Sequence, residues 1–288
     1  LFFGGETSSG TSVNVIEFID ITSTGNGSDF GDLSAAKKST MSVSSQTRAI
    51  SAGGLVSSSA INVIEYVTIA SAGDVTDFGD LADTSQEGTG TGNSTRGLFQ
   101  LGITSATTTS DVINYVTIAS TGDAQDFGDL NVGRAYGQDS FVSSPVRGVF
   151  AGGYPLSGGA MDYVTIASTG NAQNFGDLSV ARYGIGGASS STRGTFGGGN
   201  TSGDTIDYIT IASTGNASDF GNLTIAPRYV SGTSNSTRGV FGGGQISATR
   251  QNTIGYITIA STGNAADFGD LSAGKNSLTA TSGSHGGI

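Results

Sequence analysis

Cysteine and tryptophan are absent from the 288 residues, histidine occurs once and proline three times. Without cysteine there is no disulfide, no zinc thiolate site and no thiol nucleophile, and the redox compartment is left open. A single histidine, His285 near the end of the chain, cannot build a Ser-His-Asp triad, a histidine metal cluster or a histidine acid/base pair. No apolar run approaches the length of a membrane span, so no membrane insertion is expected. Positive charge is scarce. Twelve Lys and Arg stand against 23 Asp and Glu, and the net charge of -11 argues against nucleic acid as a partner and against a polybasic membrane contact. The first residues, Leu1-Phe2-Phe3-Gly4-Gly5, include neither a start Met nor a basic segment before an apolar stretch, so the sequence reads as a processed or excerpted chain.

Abundance is equally informative. Gly supplies 48 residues, Ser and Thr are frequent, and runs of the strong helix formers Leu, Lys, Glu and Gln are missing, which disfavours helices. Disorder is disfavoured too, because 35% of residues are hydrophobic, only 12% are charged, and the aromatics recur at fixed places. An all-β chain with a core remains.

The recurrence is a repeat. The segment Arg238-Gly-Val-Phe-Gly-Gly-Gly244 returns at 193–199, 147–153, 96–102 and 48–54, and a partial copy opens the chain. Its final glycines, Gly5, Gly54, Gly102, Gly153, Gly199 and Gly244, are 49, 48, 51, 46 and 45 residues apart, and six units account for the whole chain. Such a period suits a four-stranded propeller blade. Four strands, A to D, can be placed in each unit. Strand A is a Ser/Gly-rich stretch such as 183–190, and strand B is the Arg-Gly-Val-Phe segment. Strand C carries β-branched residues and an aromatic, as in 63–69; a Thr-Gly-Asn turn follows, and strand D reads Asp-Phe-Gly-Asp-Leu. One blade alone would expose its aromatics, so neighbours must cover them. Phe30, Phe78, Phe127, Phe175, Phe220 and Phe268 of strand D are expected to form one buried ring, and Phe18, Tyr66, Tyr115, Tyr163, Tyr208 and Tyr256 of strand C another.

The ends decide between an open solenoid and a ring. The chain begins inside a strand B, and 277–288 reads as a strand A followed by the start of another strand B. Residues 1–288 are therefore expected to form a single all-β domain, a six-bladed β-propeller with four-stranded antiparallel blades. Its ring is closed by the C-terminal strand A pairing with the N-terminal strand B, leaving no open edge.

A double glycine after an apolar strand, an aromatic in the next strand, Thr-Gly-Asn, a further aromatic and then Leu resemble the kelch repeat, with Phe of Asp-Phe-Gly-Asp-Leu where kelch proteins usually place Trp. The fuller wording, Thr-Arg-Gly-Val-Phe-Gly-Gly-Gly followed by Tyr-Ile-Thr-Ile-Ala-Ser-Thr-Gly-Asn, is similar to repeats in structural and tail-associated proteins of bacteriophages, especially marine ones. The resemblance implies a virion component displayed for host attachment. Copper oxidases of the kelch class need a Cys-crosslinked Tyr and two His, and sialidase propellers need Trp-containing boxes; this sequence supplies neither.

Three sets of side chains are candidates for a role. The acidic pairs Asp29/Asp32, Asp77/Asp80, Asp126/Asp129 and Asp267/Asp270 could share a calcium ion, but their repetition favours carboxylates that bond turn amides, so no metal and no cofactor is expected. Arg48, Arg96, Arg147, Arg193 and Arg238 begin strand B and are read as structural forks to carbonyls or to the repeated Asp. Arg134, Arg182, Arg228 and Lys275, with Lys37 and Lys38 nearby, sit at the D-to-A junction beside Tyr136, Tyr183 and Tyr229. These are the expected binding residues, against the plainer reading that the repeat copied a packing residue. The B-to-C loops vary while their flanking strands do not, as display loops on a rigid scaffold would. His285 is read as a surface or closure residue.

No catalytic residues emerge, and the chain is not expected to be an enzyme. Two functions stand side by side: a structural or host-recognition protein of a bacteriophage virion, contacting other virion proteins or a host receptor or glycan, and a secreted glycan-binding propeller with a shallow site on each blade. Either places it on a virion surface or outside the cell.

Overall fold

The structure is a computed structural model that describes residues 1–137, 139–155 and 159–288. Six antiparallel sheets stand around one axis, each with strands in the order A-B-C-D from the inside outward, and no helix occurs among the described residues. Strand A is Met41–Ser44, Thr89–Gly92, Phe141–Ser143, Gly186–Ser189 and Ser231–Ser234 in blades 2 to 6, and Thr279–Ala280 in blade 1. Phe2 pairs with Ala280 and Phe3 with Thr279, so the first sheet is assembled from both ends of the sequence. Beyond Ala280 the chain departs from the expected start of a strand B. Thr281 still exchanges main-chain bonds with Leu1 at 2.8 and 3.0 Å; residues 282–288 then leave the sheet in turns, and Gly286 and Gly287 lie against Ser143, Ser190 and Gly92, which belong to other blades.

The repeated wording follows from how blades meet. In every blade the C–D pairing slips at the same place, Ile16/Glu17 in blade 1 and Ile113/Asn114 in blade 3, because Phe-Gly of strand D stands opposite a single step of strand C. This bulge turns the strand D phenylalanine into the gap between sheets, where all six are buried. Phe127, for instance, packs with Ile113 and Leu130 of its own blade and with Phe150, Val164 and Ile166 of the next. Six such clusters fill the six gaps, the last joining Phe268, Leu271 and Ile254 to Phe2 and Leu278 of blade 1. Each phenylalanine contributes about 1.5–3 kcal/mol by leaving water.

The glycine after that phenylalanine is dictated by close approach. A Cβ on Gly31, Gly79, Gly128, Gly176, Gly221 or Gly269 would lie 2.2–2.6 Å from main-chain atoms of the turn glycine in the next blade. With no Cβ in the way, the turn latches onto strand D. The N–H of Gly73, Gly122, Gly170, Gly215, Gly263 and Gly25 donates to the carbonyl of Phe30, Phe78, Phe127, Phe175, Phe220 and Phe268 at 2.7–2.8 Å. The side chain after the turn glycine does more than shape the turn: Asp74, Asp123, Asn171, Asn216, Asn264 and Asn26 accept the N–H of Asp32, Asp80, Asp129, Asp177, Asn222 and Asp270 at 3.0–3.1 Å. The sixth latch, from Gly25 and Asn26 to blade 6, has the same geometry as the other five.

The second aromatic ring is placed differently from the expectation. Strand C tyrosines are only half-buried, and Phe18 is 40% exposed. Each stands edge-on to the strand D phenylalanine of its own blade, with centroids 5.9–6.1 Å apart. In blades 2 to 6 the outer face is covered by the strand B arginine, its guanidinium 4.4–4.6 Å from the tyrosine centroid. Those arginines also donate to carbonyls at the start of the C–D turn of the next blade, Arg48 to Ile118 at 3.0 Å and Arg96 to Ile166 at 2.9 Å. They are forks to carbonyls, not to the repeated aspartates.

Candidate functional site

The D-to-A junction lies on the face that also carries the B–C loops. Its cations divide sharply. Lys37, Arg134, Arg182 and Lys275 are almost fully buried, and each pairs with a strand C carboxylate of the following blade: Lys37 with Glu65 at 2.5 Å, Arg134 with Asp162, Arg182 with Asp207 at 3.1 Å, and Lys275 with Glu17 at 3.2 Å. Arg134 also donates to the carbonyls of Gly152 and Ala160, at 3.1 and 3.2 Å. Burial pulls the pKa of Lys37, Arg134 and Arg182 down and the facing carboxylate pulls it back up, so the pair is best described as a desolvated ion pair held by geometry. Arg134, Arg182 and Lys275, expected among the binding residues, have their charged ends enclosed between blades, as the plainer reading of a copied packing residue has it. Lys38 lies nearby and pairs with Glu6, which Arg250 also meets.

The carboxylate partners Glu17, Glu65, Asp162 and Asp207 were not singled out in the sequence, although a signal was there. At the two junctions without a cation, Ser85 and Pro227 occupy the equivalent place, as shown by the common bond from Gly54 to Ser85 and from Gly199 to Pro227. The facing strand C residues there are Asn114 and Gly255, paired with Phe99 and Phe241 as Asp162 is with Phe150. Cation and acid vanish together.

Two positions beyond Lys37, Ser85, Arg134, Arg182, Pro227 and Lys275 the main chain turns left-handed, at Ser39, Glu87, Tyr136, Gly184, Tyr229 and Ser277, with φ between 52° and 68°. These residues form a collar around the axis on the face of the B–C loops. Ser39 donates to Ser277, Glu87 to Ser39, Gly184 to Tyr136 and Tyr229 to Gly184, at 2.7–3.1 Å. Non-glycine residues enter this region at a cost, which the collar's hydrogen bonds offset. Tyr136 and Tyr229 are thereby held at fixed places on the rim.

The structure brings together the tyrosines that the sequence had only placed beside cations. Tyr136, Tyr183 and Tyr229 lie within 5.5–6.4 Å of one another, centroid to centroid. Tyr154, from the B–C loop of blade 4, joins them at 5.8 Å from Tyr136 and 6.1 Å from Tyr183, with half its surface exposed. It is anchored by a main-chain pair with Ala135 at 2.8 and 2.9 Å. In the sequence Tyr154 is marked only by its place in one of the variable B-to-C loops. Burial, and then the neighbouring Glu87 and Tyr183, raise the pKa of Tyr136; burial, then Tyr183 and Glu87, push Tyr229 up to about 12. Both phenols stay protonated through the neutral range and can donate a hydrogen bond. Arg228 completes the patch, partly exposed, with its guanidinium 5.3 Å from the Tyr229 centroid. Beside it opens a groove of about 290 Å³ lined by Arg228, Gln245, Asn200, Ile246 and Ser247. Asn200 is tied to Tyr183 by main-chain and side-chain bonds of 3.1 and 2.9 Å, so groove and tyrosines form one surface.

The other candidates are placed as follows. Of the pairs Asp29/Asp32, Asp77/Asp80, Asp126/Asp129 and Asp267/Asp270, it is the main chain of the second member, Asp32, Asp80, Asp129 and Asp270, that the turn of the next blade engages, through both its N–H and its carbonyl. No group of three or more acidic or histidine side chains able to hold a metal ion occurs among the described residues. His285, read as a surface or closure residue, is buried at the opposite end of the axis, so the surface alternative is set aside. Its Nε2 faces the Ser44 carbonyl at 3.2 Å, Nδ1 lies 3.3 Å from the Ser143 hydroxyl and accepts the Gly287 N–H at 3.0 Å, and burial pulls its pKa down to about 4. Asp139, also buried, accepts the N–H of Ala280 at 2.8 Å and bonds Ser231 across the axis, with its pKa pushed by burial up to about 7.

Comparison of the chain with models of known protein families and with curated proteins returned no match. The conclusion that stands on geometry is the architecture: a six-bladed β-propeller with a tyrosine-lined mouth on the face of its variable loops.

Proposed function

We propose that the chain is a non-catalytic binding scaffold carried on the surface of a bacteriophage particle, where the tyrosine-lined mouth contacts the host cell. The observation that carries the binding role is the clustering of Tyr136, Tyr154, Tyr183 and Tyr229 on a rim whose main chain is fixed by its own hydrogen bonds. Tyrosine offers large, amphipathic contact area with little side-chain entropy to lose, which is why it dominates adaptable recognition surfaces. The virion setting is supported by the likeness of the repeat wording to phage structural and tail-associated repeats. Enzymatic chemistry is disfavoured by the side chains themselves: the lone histidine is buried with its ring bonded, and the best-placed cations are consumed in ion pairs.

Antibody raised against the chain should decorate purified particles in electron micrographs and block their adsorption, and Tyr154→Ala should weaken binding of the purified chain to host cells at least tenfold without lowering its melting temperature. Particles that carry no chain would refute the virion setting; unchanged cell binding by the variant would refute the mouth.

A second reading, a secreted glycan-binding propeller with a site on each blade, is favoured by two equivalent polar grooves. Arg147 and Tyr163 line one of about 270 Å³, and Arg96 and Tyr115 line one of about 240 Å³. Stoichiometry separates the two: several sugars per chain for the lectin, one contact region for the mouth.

A further inference from the structure

Every cation but one is already engaged. Of the twelve Lys and Arg, Lys37, Lys38, Arg134, Arg182, Arg250 and Lys275 meet carboxylates, and the five strand B arginines donate to main-chain carbonyls. Arg228 alone has neither partner among the described residues; its only contact of this kind is the face of Tyr229. This happens in a chain with 23 acidic residues, so a partner was not lacking in composition. A guanidinium held over an aromatic face, with its five N–H donors uncommitted, is preorganised for an anion that arrives from outside.

The surroundings specify what kind of anion. Resting on the reading of the mouth as a contact surface, we propose that Arg228 and the tyrosine cluster bind one carboxylated sugar residue, of the sialic or uronic acid type, at the end of a surface glycan. The carboxylate meets the guanidinium through two parallel N–H···O bonds. The apolar face of the pyranose lies on the Tyr229 and Tyr183 rings, whose electron-rich faces attract polarised C–H bonds as they attract a cation. Sugar hydroxyls meet the Asn200 Nδ2 and the Ser247 hydroxyl, whereas Gln245 is already committed to Ser247 O and to Asn276. At about 290 Å³ the groove sits at the lower end of the roughly 300–1,000 Å³ common for ligand sites, which suits a single ring. Nucleic acid shares the combination of a flat ring and a negative charge, but its successive phosphates would meet a protein of net charge -11 with one free cation to offer. The site differs from a per-blade lectin site because neither the free cation nor the tyrosine cluster is repeated around the ring.

Calorimetric titration of the full chain with a sialic acid-terminated and a glucuronic acid-terminated trisaccharide tests this, with the carboxyl-reduced forms of both as neutral counterparts. At least one acidic sugar should bind with one site per chain; reducing its carboxyl group or introducing Arg228→Gln should weaken it tenfold or more, and Arg228→Lys should restore part of the loss. Circular dichroism of each variant establishes that the fold is kept. Equal affinity for acidic and reduced sugars, indifference to Arg228→Gln, several sites per chain, no binding of either acid, or displacement by a short aspartate-rich peptide or an oligonucleotide at lower concentration would each overturn the proposal. The mouth reading falls separately: if Tyr154→Ala abolishes cell binding and Arg228→Gln does not, the mouth stands and the acidic ligand is refuted.

Discussion

The seams between blades and the mouth are made from the same repeat, yet one is constant and the other is not. At the seams, the turn glycine, the Asx side chain and the Phe-Gly of strand D recur six times with hydrogen-bond lengths that vary by about a tenth of an ångström. At the mouth, the six equivalent collar positions are Ser, Glu, Tyr, Gly, Tyr and Ser, and only one sector collects aromatic rings. The difference follows from what each surface must satisfy. A seam is a buried fit between two backbones, where a single methyl group would collide; at the mouth Glu87, Tyr136 and Tyr229 are only partly buried, so side chains there can change without opening the ring.

The sharpest way to break this contrast is to disturb a seam. Arg182→Ser leaves the Asp207 carboxylate buried without its cation and should destabilise the fold by about 3–5 kcal/mol, read by urea unfolding. The chain supplies its own remedy: adding Asp207→Asn reproduces the Ser85/Asn114 combination found at the seam between blades 2 and 3 and should recover more than half of the loss. No recovery would mean that cation and acid vary independently.

Gly128→Ala puts a Cβ about 2.6 Å from the Gly170 carbonyl and should cost roughly 1–3 kcal/mol, whereas Tyr154→Ala at the mouth should stay within about 0.5 kcal/mol of wild type. Equal costs at the two places would erase the distinction between seam and mouth.

A smaller effect should appear with pH along the axis, where His285 and Asp139 are buried. His285 has its pKa held down at about 4, below its ordinary 6.5, so the unfolded chain binds the extra proton; its contribution is present above pH 6.5 and is lost as pH falls through 4. Asp139, raised to about 7 from 3.8, acts in the opposite sense, contributing below pH 3.8 and losing that contribution as pH rises through 7. In the window they share the two slopes oppose, and wild-type stability should be nearly flat in what they contribute. His285→Gln should uncover a decline with rising pH, and Asp139→Asn a rise, each on the order of 1–3 kcal/mol by thermal melting.

The seams were largely legible in the sequence because they are local. Asp-Phe-Gly-Asp-Leu and Thr-Gly-Asn recur at a fixed period, and a recurring phenylalanine next to a recurring glycine can only be a contact copied from blade to blade. The role of strand C tyrosines was misjudged, since nothing in spacing tells that Arg48 reaches back over Tyr66 and keeps it half-exposed. The ion pairs join residues of adjacent repeats, Arg134 with Asp162 and Arg182 with Asp207, and become visible only when the paired losses at Ser85/Asn114 and Pro227/Gly255 are noticed. Tyr154 was out of reach: it comes from a loop, and its meeting with Tyr136 and Tyr183 depends on how three blades splay around the axis.

Amide hydrogen exchange, resolved residue by residue, addresses the ring most directly. Gly25, which donates to Phe268 across the seam between blades 6 and 1, should be protected to the same degree as Gly122, Gly170 and Gly215 at interior seams. Exchange of Gly25 at the rate of an unstructured peptide, with the interior glycines protected, would contradict a closed ring.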